Sequence, residues 1–366
     1  MRGSIVGCLL VAMACFGCGS PLKDIPVTIG EPPDVPPHAG RVELQYLGNG
    51  GWLIRRGGDV IATAPFVSNP GGARVYLPGG PDPGAIATEV PEMDDVEIML
   101  IGHGHYDHAM DLPLILGEKN PGAGAPRPKA PKATLFGSRT VKHLLGPQLA
   151  NGRVASVSDD EDGGRTTVNG GTERKSAKGL IPGTWFPGAD APVRFMPLAS
   201  THAPHLLGFV KLVSWGSLKN DVETLPGWPF LWPEGETLAF LIDFLNPKDG
   251  TVEFRIYYQD AASHPGTGII PTLTGRDAAP VDVAILCVAG FSQVPDNPEH
   301  ILGNVQPRYI VGGHWEDFFL WPDREAIRSA PGTSIVEFFA RAGRVSPAPL
   351  YMVEPKEMLI LPIKPR

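Results

Sequence analysis

The stretch densest in chemistry-bearing side chains is His103-Gly104-His105-Tyr106-Asp107-His108. Neutral imidazole and carboxylate are natural ligands for zinc and other borderline divalent ions. Alternate residues of an extended chain share a face, so His103 and His105 can aim at one point. Asp107 and His108 come after a bend and can aim at a second point close by. Gly102 and Gly104 remove side chains where backbone and ion approach each other. The chain has ten histidines, and three of them fall in this frame directly behind an apolar run, which points to a metal site rather than a surface cluster.

That apolar run, residues 96–101, reads as a strand buried on both faces, so the motif opens where a buried strand ends. Residues 108–116 read as the short helix that follows. Upstream, Val42, Leu44 and Tyr46 alternate with polar residues, Gly48-Asn49-Gly50-Gly51 turns the chain, and residues 52–54 return as a hairpin. Residues 60–63 form a further strand. Downstream, 193–197 is a strand, 238–244 and 252–258 pair across Asn246-Pro247-Lys248-Asp249-Gly250, and 281–288, 309–311 and 352–361 add strands. Helical patterns fall at 298–302, 325–328 and 335–342. Strands clustered in two halves with helices outside predict an α/β fold, a four-layer αββα sandwich.

Gly (45) and Pro (40) are frequent, which fits the long connections at 119–133 and 151–192. The net charge of -8 argues against nucleic acid as the main partner, because phosphate binding needs a basic surface. At the N-terminus, Arg2, an apolar run over 5–16 and then Gly17-Cys18-Gly19-Ser20 read as a secretory signal. The run is too short for a permanent membrane span. It resembles a bacterial lipoprotein signal, in which the cysteine at the cut, here Cys18, receives lipid. The expected organisation is a signal peptide at 1–18, a Pro-rich tether at 19–40 and a catalytic domain at 41–366. The protein is then exported and anchored to a membrane, facing the periplasm or cell exterior. Cleavage leaves Cys18 and Cys287, so no disulfide framework is available, and Cys287 reads as an inert buried thiol.

The histidine motif resembles the signature of the metallo-β-lactamase superfamily. The surrounding chain, roughly residues 41–363, is most similar to the branch containing ascorbate-6-phosphate lactonase-like proteins and the N-acylphosphatidylethanolamine-hydrolysing phospholipase D. The resemblance implies two divalent ions, zinc foremost, and three further ligands, each following a strand. His202, in Ser200-Thr201-His202, would join His103 and His105. Asp260, after Tyr257-Tyr258-Gln259, would bridge both ions, and His314, in Gly312-Gly313-His314-Trp315, would complete the second beside Asp107 and His108. Two rivals stay open: His205 for His202, and Asp243 for Asp260. His264 and His300 read as surface residues of polar loops. The family's early strand usually ends Thr-Asp-Pro, whereas here it reads Thr63-Ala64-Pro65, which implies a changed environment for a ligand histidine.

The activity so implied is hydrolysis of an ester, lactone or phosphodiester by a hydroxide bridging two zinc ions. Asp107 and Asp260 would be the catalytic carboxylates, with Asp260 orienting the nucleophile. The alternatives are an iron-dependent oxidoreductase on the same ligands and a metal-binding lipoprotein without turnover. Residues 215–232, with Trp228, Phe230 and Leu231, are candidates for a lid or apolar wall over a small-molecule or lipid-like substrate. The plainer reading is that these rings pack the segment onto the sandwich. Tyr106 and Trp315 are further candidates for the cleft lining.

Overall fold

The computed structural model describes residues 28–29, 35, 40–71, 75–122, 125–158, 167–169, 182–204, 216–319, 327–364 and 366. The expected signal segment with Cys18 and the rival ligand His205 lie outside the described residues.

The chain makes strands β1 (Thr28–Ile29), β2 (Arg41–Gly48), β3 (Gly51–Arg56), β4 (Asp59–Thr63), β5 (Ile98–Leu100), β6 (Thr134–Gly137), β7 (Val154–Ser156) and β8 (Val168–Asn169). It continues with β9 (Val193–Ala199), β10 (Leu238–Leu245), β11 (Val252–Gln259), β12 (Val283–Cys287), β13 (Tyr309–Gly313), β14 (Leu350–Met352) and β15 (Met358–Pro362). One sheet runs β15-β2-β3-β4-β5-β6-β7, and the other β1-β14-β13-β12-β11-β10-β9-β8. In each, an antiparallel meander passes into parallel strands, β4 to β7 in the first sheet and β11 to β14 in the second. Parallel neighbours need crossovers, and helices supply most of them. Pro83–Glu89 joins β4 to β5, Arg139–Leu145 joins β6 to β7, Glu299–Val305 joins β12 to β13, and Ile335–Val345 joins β13 to β14.

Strand alternation decides which way each side chain is buried. Leu44, Ile54, Ile61 and Leu100 share the main core with Phe195, Phe240, Ile242 and Ile285 of the facing sheet. Their neighbours Leu53, Ala62, Met99 and Ile101 turn the other way, and pack with Ile86, Leu112, Ile115, Val141 and Leu144 from the covering helices. Ile301, Leu302, Phe338 and Phe339 belong to the helices associated with the second sheet. The result is the αββα sandwich expected from the sequence. Each large apolar side chain so buried contributes about 1.5–3 kcal/mol.

Four local expectations are revised. The helix expected over 108–116 is two pieces, Tyr106–Ala109 and Leu112–Leu116, because Pro113 lacks an N–H and starts a helix more readily than it continues one. Residues 352–361 divide between the two sheets, with Lys356 at positive φ in the turn between them. Of the helix expected at 325–328, the described part is strand-like. Ser329 bridges Glu316, and Asp317 N–H donates to Arg328 O at 2.8 Å. Within the segment expected as tether, Thr28–Ile29 pairs antiparallel with Leu350 and Tyr351 as an edge strand. Among the described residues, no helix is long and apolar enough to cross a membrane.

Candidate metal centre

Strand register brings the candidate ligands to one edge. Leu238, which opens β10, pairs with Ala199 at the end of β9, while Ala239 pairs with Gln259 at the end of β11. His202 and Asp260 therefore both leave the second sheet beside the start of β10. Leu238 N–H also reaches across to Gly102 O in the other sheet, at 2.8 Å, so the β10 start is tied to the chain leaving β5. That chain carries His103 to His108. Gly313 closes β13 against Cys287, and His314 follows it.

His103, His105 and His202 each offer a ring nitrogen, all within 4.8 Å of one another, and His103, Asp107 and His108 form a second such group. Asp260 lies across both, with Oδ1 at 3.2 Å from His103 Nδ1 and Oδ2 at 3.6 Å from His108 Nδ1. His314 Nε2 is 3.3 Å from Asp107 Oδ2, and its ring centroid is 5.0 Å from that of His108. All seven expected residues thus converge.

Backbone explains the close approach. Gly102 N–H donates to Asp260 Oδ2 at 2.8 Å, and Gly104 N–H donates to Glu234 O at 2.8 Å. A Cβ at Gly50 would stand 2.8 Å from His108 Nδ1, so the turn before β3 can lie against that ring. Gly50 O accepts from the Tyr258 hydroxyl at 2.7 Å and from Thr63, whose oxygen also accepts Trp52 N–H at 2.8 Å.

Six of the seven residues are at most 7% exposed, and His202 is half-buried. Burial pushes His103 and His108 down to about 3, with neighbouring imidazoles adding to the shift, so both rings are neutral at ordinary pH. Burial acts to raise the Asp107 carboxyl, but His108 and His314 hold it well below the usual carboxylate range. Burial acts to lower His314, and Asp107 overcomes it and raises the ring. Burial raises Asp260. His103 Nε2, both nitrogens of His108 and His314 Nδ1 are buried without a hydrogen-bond partner among the described residues. Each orphaned buried polar atom costs about 1–3 kcal/mol, a cost that ligation removes. Neutral imidazoles and carboxylates converging in a buried pocket fit divalent cations.

Asp243, the rival to Asp260, stands apart in a buried ion cluster. Its carboxylate accepts from Arg255 Nε at 2.7 Å and from Arg194 Nη2 at 2.9 Å. His300 is a half-buried helix residue whose Nε2 lies 2.8 Å from Ser263 O, and not the surface loop residue expected. His264 is half-buried in a loop. Trp315 lines no cleft: it is fully buried, and its Nε1 donates to Val353 O at 3.0 Å. Tyr106 is buried edge-on against Phe66. In the aromatic segment Trp232 enters the second core, while Trp228 and Leu231 remain 38% and 46% exposed.

Sequence reasoning missed the supports. Asn49 Nδ2 donates to Asp107 O at 3.0 Å, Glu234 lies close enough for its charge to act on His103, and Glu316 anchors the turn holding Asn49. Asn49 was legible only as a turn residue, because its partner is 58 positions away.

No protein-family model matches the chain. It is 30% identical over 281 residues to a UPF0173 metal-dependent hydrolase of Anaeromyxobacter dehalogenans (strain 2CP-C), covering 76% of each protein. The chain belongs to that family of metal-dependent hydrolases. The solved structures similar to it include Igni18 and YhfI. Igni18, a metallo hydrolase from Ignicoccus hospitalis KIN4/I, matches at TM-score 0.46 and 15% identity, over 88% of this chain and 100% of that one. The metallo-β-lactamase fold protein YhfI from Bacillus subtilis matches at TM-score 0.44 and 11% identity, with the same coverage.

Proposed function

We propose that this chain is a two-metal hydrolase. His103, His105 and His202 hold one ion, Asp107, His108 and His314 hold the other, and Asp260 reaches both. The observation that carries the reading is the convergence of these side chains with four buried imidazole nitrogens that have no hydrogen-bond partner among the described residues. Divalent ions bound there supply a nucleophile from water near neutral pH and draw electron density from the substrate's reacting oxygen. The chain's own contribution is geometric. The Gly102 N–H fixes one oxygen of Asp260, Asn49 fixes the backbone of Asp107, and burial keeps His103 and His108 neutral as ligands.

The bond cleaved is an ester, lactone or phosphodiester. Exposed Leu77, Trp228 and Leu231 support an acyl-bearing substrate, since their two segments are joined by Gly79 N–H to Gly227 O at 2.9 Å. On the N-terminal sequence we place the protein outside the cytoplasm, held to a membrane through lipid on Cys18.

The test is elemental analysis of the purified chain beside a His103→Ala/His105→Ala variant, with a panel of esters and lactones of rising acyl length and phosphodiesters. Two zinc ions per chain, few in the variant, and turnover that follows metal content are expected. Iron with no hydrolysis of any panel member would sink the proposal in favour of redox chemistry.

A further inference from the structure

Glu316 sits two residues beyond His314, outside the ligand set, and is 8% exposed. Its carboxylate makes three close contacts. Oε1 accepts Asn49 N–H at 2.6 Å, and Oε2 accepts the Tyr46 hydroxyl at 2.5 Å and Trp315 N–H at 3.1 Å. Two of these partners grip backbone that carries ligands. The Asn49 side chain donates to Asp107 O at 3.0 Å, and the Asn49 carbonyl accepts His314 N–H at 3.0 Å. The Tyr46 hydroxyl accepts the same His314 N–H at 2.8 Å. Both Asn49 and His314 have φ of +51°, a left-handed conformation uncommon outside glycine though more accessible to Asn and His than to most residues, and the hydrogen bonds around them hold it. The group of His103, His105 and His202 is tied down elsewhere, through Gly104 N–H to Glu234 O and Leu238 N–H to Gly102 O.

We propose that Glu316 is a positioning residue for the ion taken by Asp107 and His314. Its carboxylate clamps the turn after β2 to the chain leaving β13, so that these two ligands face each other at a fixed separation. This rests on the two-ion reading above. It assigns the dependence on Glu316 to one ion and not to the other, because only one ligand group hangs from the clamp.

The experiment titrates cobalt(II) into the metal-free full chain and into Glu316→Gln, following visible absorption and stoichiometry. Glutamine keeps the size of the side chain but sets an NH2 group against donors. The wild type is expected to take up two ions. The variant is expected to bind one with unchanged affinity and the other about 10–100-fold more weakly, with altered absorption for that step alone. Tyr46→Phe cuts one link of the clamp, should weaken the same step by a smaller factor, and carries the test if Glu316→Gln does not fold. Unchanged affinities for both ions overturn the inference, as does an equal fall in both. A wild type that takes up a single ion defeats the two-ion reading and this inference with it, a failure visible without any variant.

Discussion

Gly102 donates its N–H to Asp260 Oδ2 at 2.8 Å, and a Cβ at position 102 would fall 2.1 Å from Oδ1 of the same carboxylate. The carboxylate that reaches both ligand groups is therefore seated on a glycine that leaves no room for a methyl group. Gly102→Ala should push Asp260 out of place at an overpacking cost of about 1–3 kcal/mol. Metal content per folded chain should fall, by elemental analysis, while the circular dichroism spectrum keeps its shape. Full metal content in this variant would show that Asp260 has freedom its seat does not suggest.

Asp243 and Asp260 are both buried aspartates, but their surroundings give them opposite roles. Asp243→Ala leaves Arg194 and Arg255 without their shared anion, and should cost about 3–5 kcal/mol in denaturant unfolding while the folded chain loads metal normally. Asp260→Asn should do the reverse. It removes a carboxyl whose ionisation burial opposes, so the metal-free chain should keep its stability while metal content drops.

Asp111 offers a pH dependence away from the ligands. Its Oδ2 accepts Val67 N–H at 2.7 Å and Ser68 N–H at 3.0 Å, yet burial dominates and pushes its pKa up to about 6. A carboxyl raised in the folded state binds its proton more tightly there than in the unfolded chain. Stability should therefore be fullest below the unfolded value of about 4, fall as pH rises, and level off above about 6, by roughly 3 kcal/mol in all. Asp111→Asn should lack this decline, so the difference between the two unfolding curves across pH 4 to 7 is the measurement.

Metal removal should destabilise the fold, because ligation satisfies buried nitrogens that have no hydrogen-bond partner among the described residues. Zinc at about a thousand times its dissociation constant should raise stability by about 4 kcal/mol. A chelator should reverse the gain, and His103→Ala/His105→Ala should abolish it. Thermal unfolding at several zinc concentrations checks this, and a midpoint independent of zinc in the wild type contradicts it.

The sequence by itself determined much of the local structure and the type of chemistry. His103 to His108 lie together in the chain, so their spacing behind an apolar strand announced a metal site without any fold. The alternation of Val42, Leu44 and Tyr46, and the hairpin across residues 246–250, were equally readable, because side-chain direction in a strand depends on neighbours one and two positions away. Local pattern was weaker where the chain's path mattered. Residues 352–361 look like one strand region, and only packing sends Leu350–Met352 and Met358–Pro362 to different sheets.

Tertiary structure alone showed how different the surroundings of Asp243 and Asp260 are. Asp243 lies inside β10 and Asp260 just past the end of β11, and in space one lies between two arginines and the other beside two imidazoles. It alone disclosed Asn49, Tyr46 and Glu316 behind Asp107 and His314, partners up to 270 positions apart. It also turned Trp315 from a possible cleft residue into a core one. Hydrogen bonds and ion pairs act over a few ångströms of space, and only the folding of two sheets against each other converts those sequence separations into such distances.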